Sequence, residues 1–164
     1  MPRSAGSRLA LLALLAGGPL GCRAKPDILL TPIDVVAGVE EGSGLPDSLR
    51  REVACRLEGQ GLRVRLLGDG DLRRPSERAP EALGRRIGAL WVLSATLLED
   101  QASLRVVLHL TEVADDRGTW VKALYGSPGH LTALADTVAN EVGHRLHAVV
   151  RRPGAGQASP CAST

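Results

Sequence analysis

The chain has 164 residues, 44% hydrophobic and 23% charged, which suits one globular domain and excludes a fibrous or wholly disordered protein. It carries 20 basic and 18 acidic side chains, two Trp, one Tyr and no Phe, which excludes a base-stacking platform. Arg3 and Arg8 lie in a leader segment; without them the basic count falls from 20 to 18, equal to the 18 acids, and a neutral mature chain gives nucleic acid no purchase.

Residues 1–21 read as a signal peptide. Arg3 and Arg8 make a basic start, Leu9 to Ala16 an apolar run, and Gly17, Gly18 and Pro19 break any helix. That apolar run rises about 12 Å as a helix, against about 30 Å of bilayer hydrocarbon, so it is no transmembrane span. Its end, Pro19-Leu20-Gly21-Cys22, resembles the lipobox of bacterial lipoproteins, where the signal is cut before the Cys and the thiol is acylated. Gly21 is the small residue expected there, and Pro19 stands where Leu is usual. The resemblance implies a lipidated Cys22, a linker over residues 22–27, and the membrane as a partner reached through the anchor. Arg23 follows the Cys instead of Asp, which by analogy implies the outer membrane, facing the periplasm. The alternative is an ordinary signal peptide with an incidental Cys. Export also places Cys55 and Cys161 in an oxidising compartment, where they can pair. Intermolecular pairing through Cys161, or two free thiols, are the alternatives.

The remainder, residues 28–150, reads as one compact domain with a flexible tail over 151–164 that is rich in Pro, Gly, Ala and Ser. Ile28 to Ile33 is a short strand, with Pro32 marking an edge or a strand end. Gly38, Gly42 and Gly44 form a loop. From Pro46 to about Glu58, Leu49, Val53 and Leu57 continue a four-residue apolar spacing from Leu45, which predicts a helix stopped at Gly59 and Gly61. Leu62-Arg63-Val64-Arg65-Leu66 alternates as a half-buried strand does. Gly68-Asp69-Gly70-Asp71 turns the chain, and a shorter helix runs from about Glu81 to Ile87.

Leu90 to Leu93 and Leu97-Leu98 make the next strand, turning at Glu99-Asp100-Gln101. Leu104 to Leu110 returns, and a turn through Asp115, Asp116 and Gly118 leads to Thr119-Trp120-Val121. A long helix covers about His130 to Val150, with Leu134, Val138, Val142 and Leu146 on one apolar stripe. The order β-α-β-α-β-β-β-α predicts an α/β fold with a mixed β-sheet, parallel early and ending in an antiparallel meander.

That order, with Leu104-Arg105-Val106, Leu110 and Trp120, resembles the TolB amino-terminal domain and the TolB-like modules of bacterial envelope proteins, over about residues 28–150. The family tends to show an L-R-V strand, a Leu five residues after the Arg, a turn Gly and a Trp opening the next strand. Gly118 sits two residues nearer Trp120 than usual, and Ser94-Ala95 replaces a common Gly. No propeller repeat follows. Related modules occur in lipoprotein activators of penicillin-binding proteins and in secretion or flagellar-associated envelope proteins. The resemblance therefore implies a protein partner in the envelope and brings no catalytic residues.

Chemical motifs are weak. His144 and His147, with Glu141 a turn earlier, project away from the apolar stripe and lack a third firm ligand for a metal. His109 and His130 are scattered. Asp69-Gly70-Asp71 lacks the further carboxylates of a calcium loop, and no base is placed beside Cys55 as a nucleophile. Trp91 reads as core; Trp120 reads as packing across the meander, with an exposed anchor as the alternative. Arg73-Arg74 and Arg85-Arg86 read as solvated surface. No catalytic, metal or cofactor site is expected, so the chain reads as a non-enzyme. The functional expectation is a lipid-anchored binding or assembly module that recruits or regulates a cell-envelope machine through its sheet edge or loops. The rival is a small-ligand or cell-wall-binding lipoprotein with a pocket between helices and sheet.

Overall fold

The computed structural model describes residues 27–39, 43–68, 79–100, 103–114 and 119–147. Its elements are β1 (Ile28–Ala37), α1 (Leu45–Gly59), β2 (Val64–Leu66), α2 (Pro80–Ile87), β3 (Trp91–Asp100), β4 (Ser103–Glu112), β5 (Thr119–Gly126) and, after a 3-10 turn at Pro128–His130, α3 (Leu131–His147). The strands form one mixed sheet in the order β2-β1-β3-β4-β5. β1 runs parallel to both β2 and β3, whereas β3-β4-β5 is an antiparallel meander. Helical crossovers join the parallel strands and tight reversals join the antiparallel ones, as chain connectivity requires.

Each helix forms where local and tertiary preferences agree. α1 starts after Gly44, has Pro46 and Asp47 in its first turn, and turns Leu49, Val53 and Leu57 into the core. α2 has Pro80 in its first turn and stops at Gly88, whose φ of 78° is the left-handed conformation that glycine adopts without a Cβ penalty. α3 buries Leu134, Val138, Val142 and Leu146, with Val142 fully inaccessible.

Two apolar layers result. α1 and α3 cover one face of the sheet, over Leu30, Trp91, Leu93, Val106, Leu108 and Leu124. On the other face the small α2 covers one end alone, with Leu83 against Leu29, Val92 and Val113. Gly84 allows this approach: a Cβ there would stand 2.2 Å from Val113 Cγ2. The helical layer is tied by Arg56, which reaches from α1 to Glu52 on its own helix and to Asp136 on α3. Burial lowers the Arg56 pKa, but the hydrogen bonds and charges of Glu52 and Asp136 outweigh it and leave the pKa raised.

Several sequence expectations change in extent. β1 continues four residues past Ile33, although Pro32 suggested an edge or an end. The ladder breaks between Leu30 and Ile33, so Pro32 sits in a register shift where it need not donate a hydrogen bond. β2 is only three residues long and excludes Leu62 and Arg63. β3 is continuous through Ser94-Ala95-Thr96 and includes Glu99 and Asp100, which were expected to turn. β5 runs five residues beyond Val121. Gly42, Asp69-Gly70-Asp71, Arg73-Arg74, Asp115, Asp116, Gly118 and Val150 lie outside the described residues.

Candidate binding surface

Among the described residues, those singled out from sequence do not converge on one site. Trp91 opens β3 and is 6% exposed within the main core. Trp120 is half-buried on β5, opposite Leu110, and packs against that core. Cys55 is half-buried on α1 and is one half of a disulfide. Cys22 and Cys161 lie outside the described residues, as does the His147 side chain. His144 is exposed, and Glu141 pairs with Lys122 of β5 at 3.3 Å. His109 lies on the sheet face away from α1 and α3, opposite Ser94 and Val121, and His130 is exposed beside α3. Among the described residues no group of three His, Cys, Asp or Glu could hold a metal ion, and no helix is long and apolar enough to cross a membrane.

Between α1 and the sheet is a cleft lined by Leu30, Leu49, Val53, Leu93, Val106 and Val138, with Thr31 and Arg50 among its lining residues. Its free space is about 20 Å³, room for about one water. Arg50 donates to the Leu67 carbonyl at 2.8 Å, while its buried Nε has no protein partner. With so little free space, the cleft is a nearly filled interior rather than a ligand pocket.

The surface with chemical character is the opposite side of the meander. Among the described residues, α2 is the helix packed on this face, and Arg105, Val121 and Tyr125 stay exposed beyond it. Register places Thr96, Val107 and Ala123 in one row, and Leu98, Arg105 and Tyr125 in the next. Val121 is 54% exposed and Tyr125 68%, and the Arg105 guanidinium lies 5.8 Å from the Tyr125 ring centroid. A cation over an aromatic face is attracted by the ring quadrupole, which holds Tyr125 standing on the sheet.

Edge geometry separates the two sides of the sheet. An unpaired edge offers N–H and C=O groups to any incoming strand, and folds blunt such edges with short strands, proline, bulges or charge. The β2 side has these devices: a three-residue strand, and beyond it a β1 interrupted by Pro32 and two register shifts. The β5 side is long and has no proline and no register shift. Its eight residues pair with β4 without a break, from Thr119 opposite Thr111 to Gly126 opposite Leu104. Its one charge, Lys122, is matched by Glu141. Among the described residues no strand pairs with the outer side of β5. The sequence carries a signal for this strand: Trp120, Lys122 and Leu124 alternate with Val121, Ala123 and Tyr125. Lys122 and the small Ala123 hide it from a search for apolar runs.

Solved structures with a similar architecture include TolB from Acinetobacter baumannii, at a TM-score of 0.50 and 14% identity, covering 80% of this chain and 31% of TolB. The fold is that of the TolB amino-terminal domain. This chain thus spans less than a third of TolB's length. Lipoprotein GNA1162 from Neisseria meningitidis aligns at a TM-score of 0.49 and 17% identity, over 74% of this chain and 99% of its own. The LpoB C-terminal domain from Salmonella enterica aligns at 0.45 and 12%, over 63% of this chain and 84% of its own. No protein-family model and no curated protein matches the sequence. Identities this low speak to fold alone, so function has to be argued from this chain's own surface.

Proposed function

We propose that the chain is a lipid-anchored, non-enzymatic binding module of the cell envelope, held at the outer membrane through Cys22 and facing the periplasm. It recruits or regulates an envelope protein machine through the β5 side of its sheet. The β5 edge carries this reading: a regular eight-residue strand with its charge neutralised, in a sheet whose other edge is protected. Main-chain hydrogen bonds supply affinity in strand addition, and alternate side chains supply choice. The signal-like residues 1–21 and the Gly21-Cys22 end support the address. A small-ligand role finds less support, because a cleft with room for one water is far below the ~300–1,000 Å³ of usual ligand pockets.

Site-specific photocrosslinking in intact cells tests the reading. A photoreactive residue at Tyr125 is expected to capture a discrete envelope protein, and the same residue at His144, on the exposed side of α3, is expected to capture none. Equal capture from both positions, or capture from His144 alone, overturns the assignment to β5.

A further inference from the structure

The strand that β5 accepts can be named from its own residues; this rests on the proposal that the edge is a docking site. We propose that it is β5 of a second copy, joined antiparallel about a two-fold axis perpendicular to the sheet. Such an axis keeps helices on the same side in both copies, so opposed residues must share a face. It therefore passes through a residue of β5 and never between two.

Only two registers then pair seven of the eight residues of β5. One is centred on Lys122 and sets that lysine directly opposite its own copy, a like-charge pair that destabilises a ladder. The other is centred on Ala123. It places the two small alanines at the axis, Lys122 opposite Leu124, and Trp120 opposite Gly126. Val121 then faces Tyr125 of the second copy, twice, a pairing of β-branched and aromatic side chains that sheets favour. In each copy Lys122 keeps Glu141 as its neighbour, so no charge is left unmatched. Registers centred on Val121 or Leu124 pair only five residues. The result is a ten-stranded sheet in which the uncovered faces, with Val121, Ala123 and Tyr125 at the seam, become one continuous surface. A seven-residue seam is small for an interface, and the surface anchor proposed at Cys22 would raise the local concentration that favours it.

Cysteine trapping on the full-length chain in mild detergent reads the register directly. Ala123→Cys is expected to give a covalent dimer on mild oxidation, above the level of the unsubstituted chain. Val121→Cys and Tyr125→Cys should each fail to link to themselves, yet link to each other when the two variants are co-expressed. Linkage at Val121 or Lys122 alone, or no gain at Ala123→Cys together with no link in the mixed pair, overturns the self-pairing. If that happens while Tyr125 still captures an envelope protein, self-pairing falls and the envelope reading stands. A trapped dimer with no captured envelope protein supports self-pairing and counts against the envelope reading.

Discussion

Asp27 is the most buried charge among the described residues, at 6% exposed, and Arg63 is one of its partners. Arg63 donates to its two carboxylate oxygens from Nε at 3.0 Å and from its terminal nitrogen at 2.6 Å, while the Arg63 backbone N–H adds a bond at 3.1 Å. The hydrogen bonds that Arg63 donates to Asp27 raise the Arg63 pKa above its ordinary value, more than burial lowers it. A raised pKa means that the arginine's own contribution is lost as pH rises through the strongly alkaline range. This pair joins the start of β1 to the approach to β2, so it fixes the parallel register from which the sheet grows. Arg63→Ala leaves a buried carboxylate with a weaker partner set and should cost about 1–3 kcal/mol, discounted because the arginine is itself half-exposed. Urea unfolding measures it; a midpoint equal to that of the parent would remove the pair from the account of stability. Gly84 gives a second case where two effects oppose. Alanine is the better helix former by about 1 kcal/mol, but its Cβ would stand 2.2 Å from Val113 Cγ2 and 3.0 Å from Val92 Cγ2. Overpacking of this kind costs about 1–3 kcal/mol, so Gly84→Ala should destabilise, and adding Val113→Ala should recover part of the loss. A stabilised Gly84→Ala protein would contradict the packing of α2.

Among the elements, α3 gives the sharpest prediction. Val142 is fully buried and His144, two residues on, is exposed. Val142→Asp forces an unpaired charge into the core at several kcal/mol, enough to unfold a domain of ordinary stability, about 5–15 kcal/mol. His144→Ala should stay within about 0.5 kcal/mol of the parent. Thermal melts of the two variants check the register, and a folded Val142→Asp protein would refute it. This stripe was legible because period 3.6 repeats over five turns, and the same holds for Leu49, Val53 and Leu57 on α1. The strand extents were not legible. β5 contains Lys122 and Ala123, which look polar and neutral in isolation; what makes them a strand is the unbroken β4 ladder beside them, a tertiary fact. Pro32 misled for a related reason. Proline forbids a donor, but whether a donor is needed depends on whether a neighbour pairs there, and β2 reaches only to Leu30. The proposed binding surface lies on β5, where the first of these effects hides the strand, so the sequence pointed to an edge without saying which.

At the scale of the whole molecule, the core and the cysteines make separate demands. Cys55 sits on α1, in the helical layer and therefore on the opposite side of the sheet from Tyr125, and it is one half of a disulfide. Two cysteines remain, Cys22 and Cys161. If Cys22 is acylated its thiol is consumed, and Cys161 is the partner; we propose that bond. A closed loop of about 100 residues would gain about 4.7 kcal/mol in the chain-entropy model. The expected outcome is a Cys55–Cys161 peptide in the non-reduced digest of protein from the envelope, with Cys22 carrying lipid. Reduction should lower the unfolding midpoint in the parent and leave Cys161→Ser unchanged. A disulfide dimer through Cys161 would move the bond between copies and replace the proposed closure. A Cys22–Cys55 peptide would overturn the pairing and the lipid anchor together, because one sulfur cannot hold both.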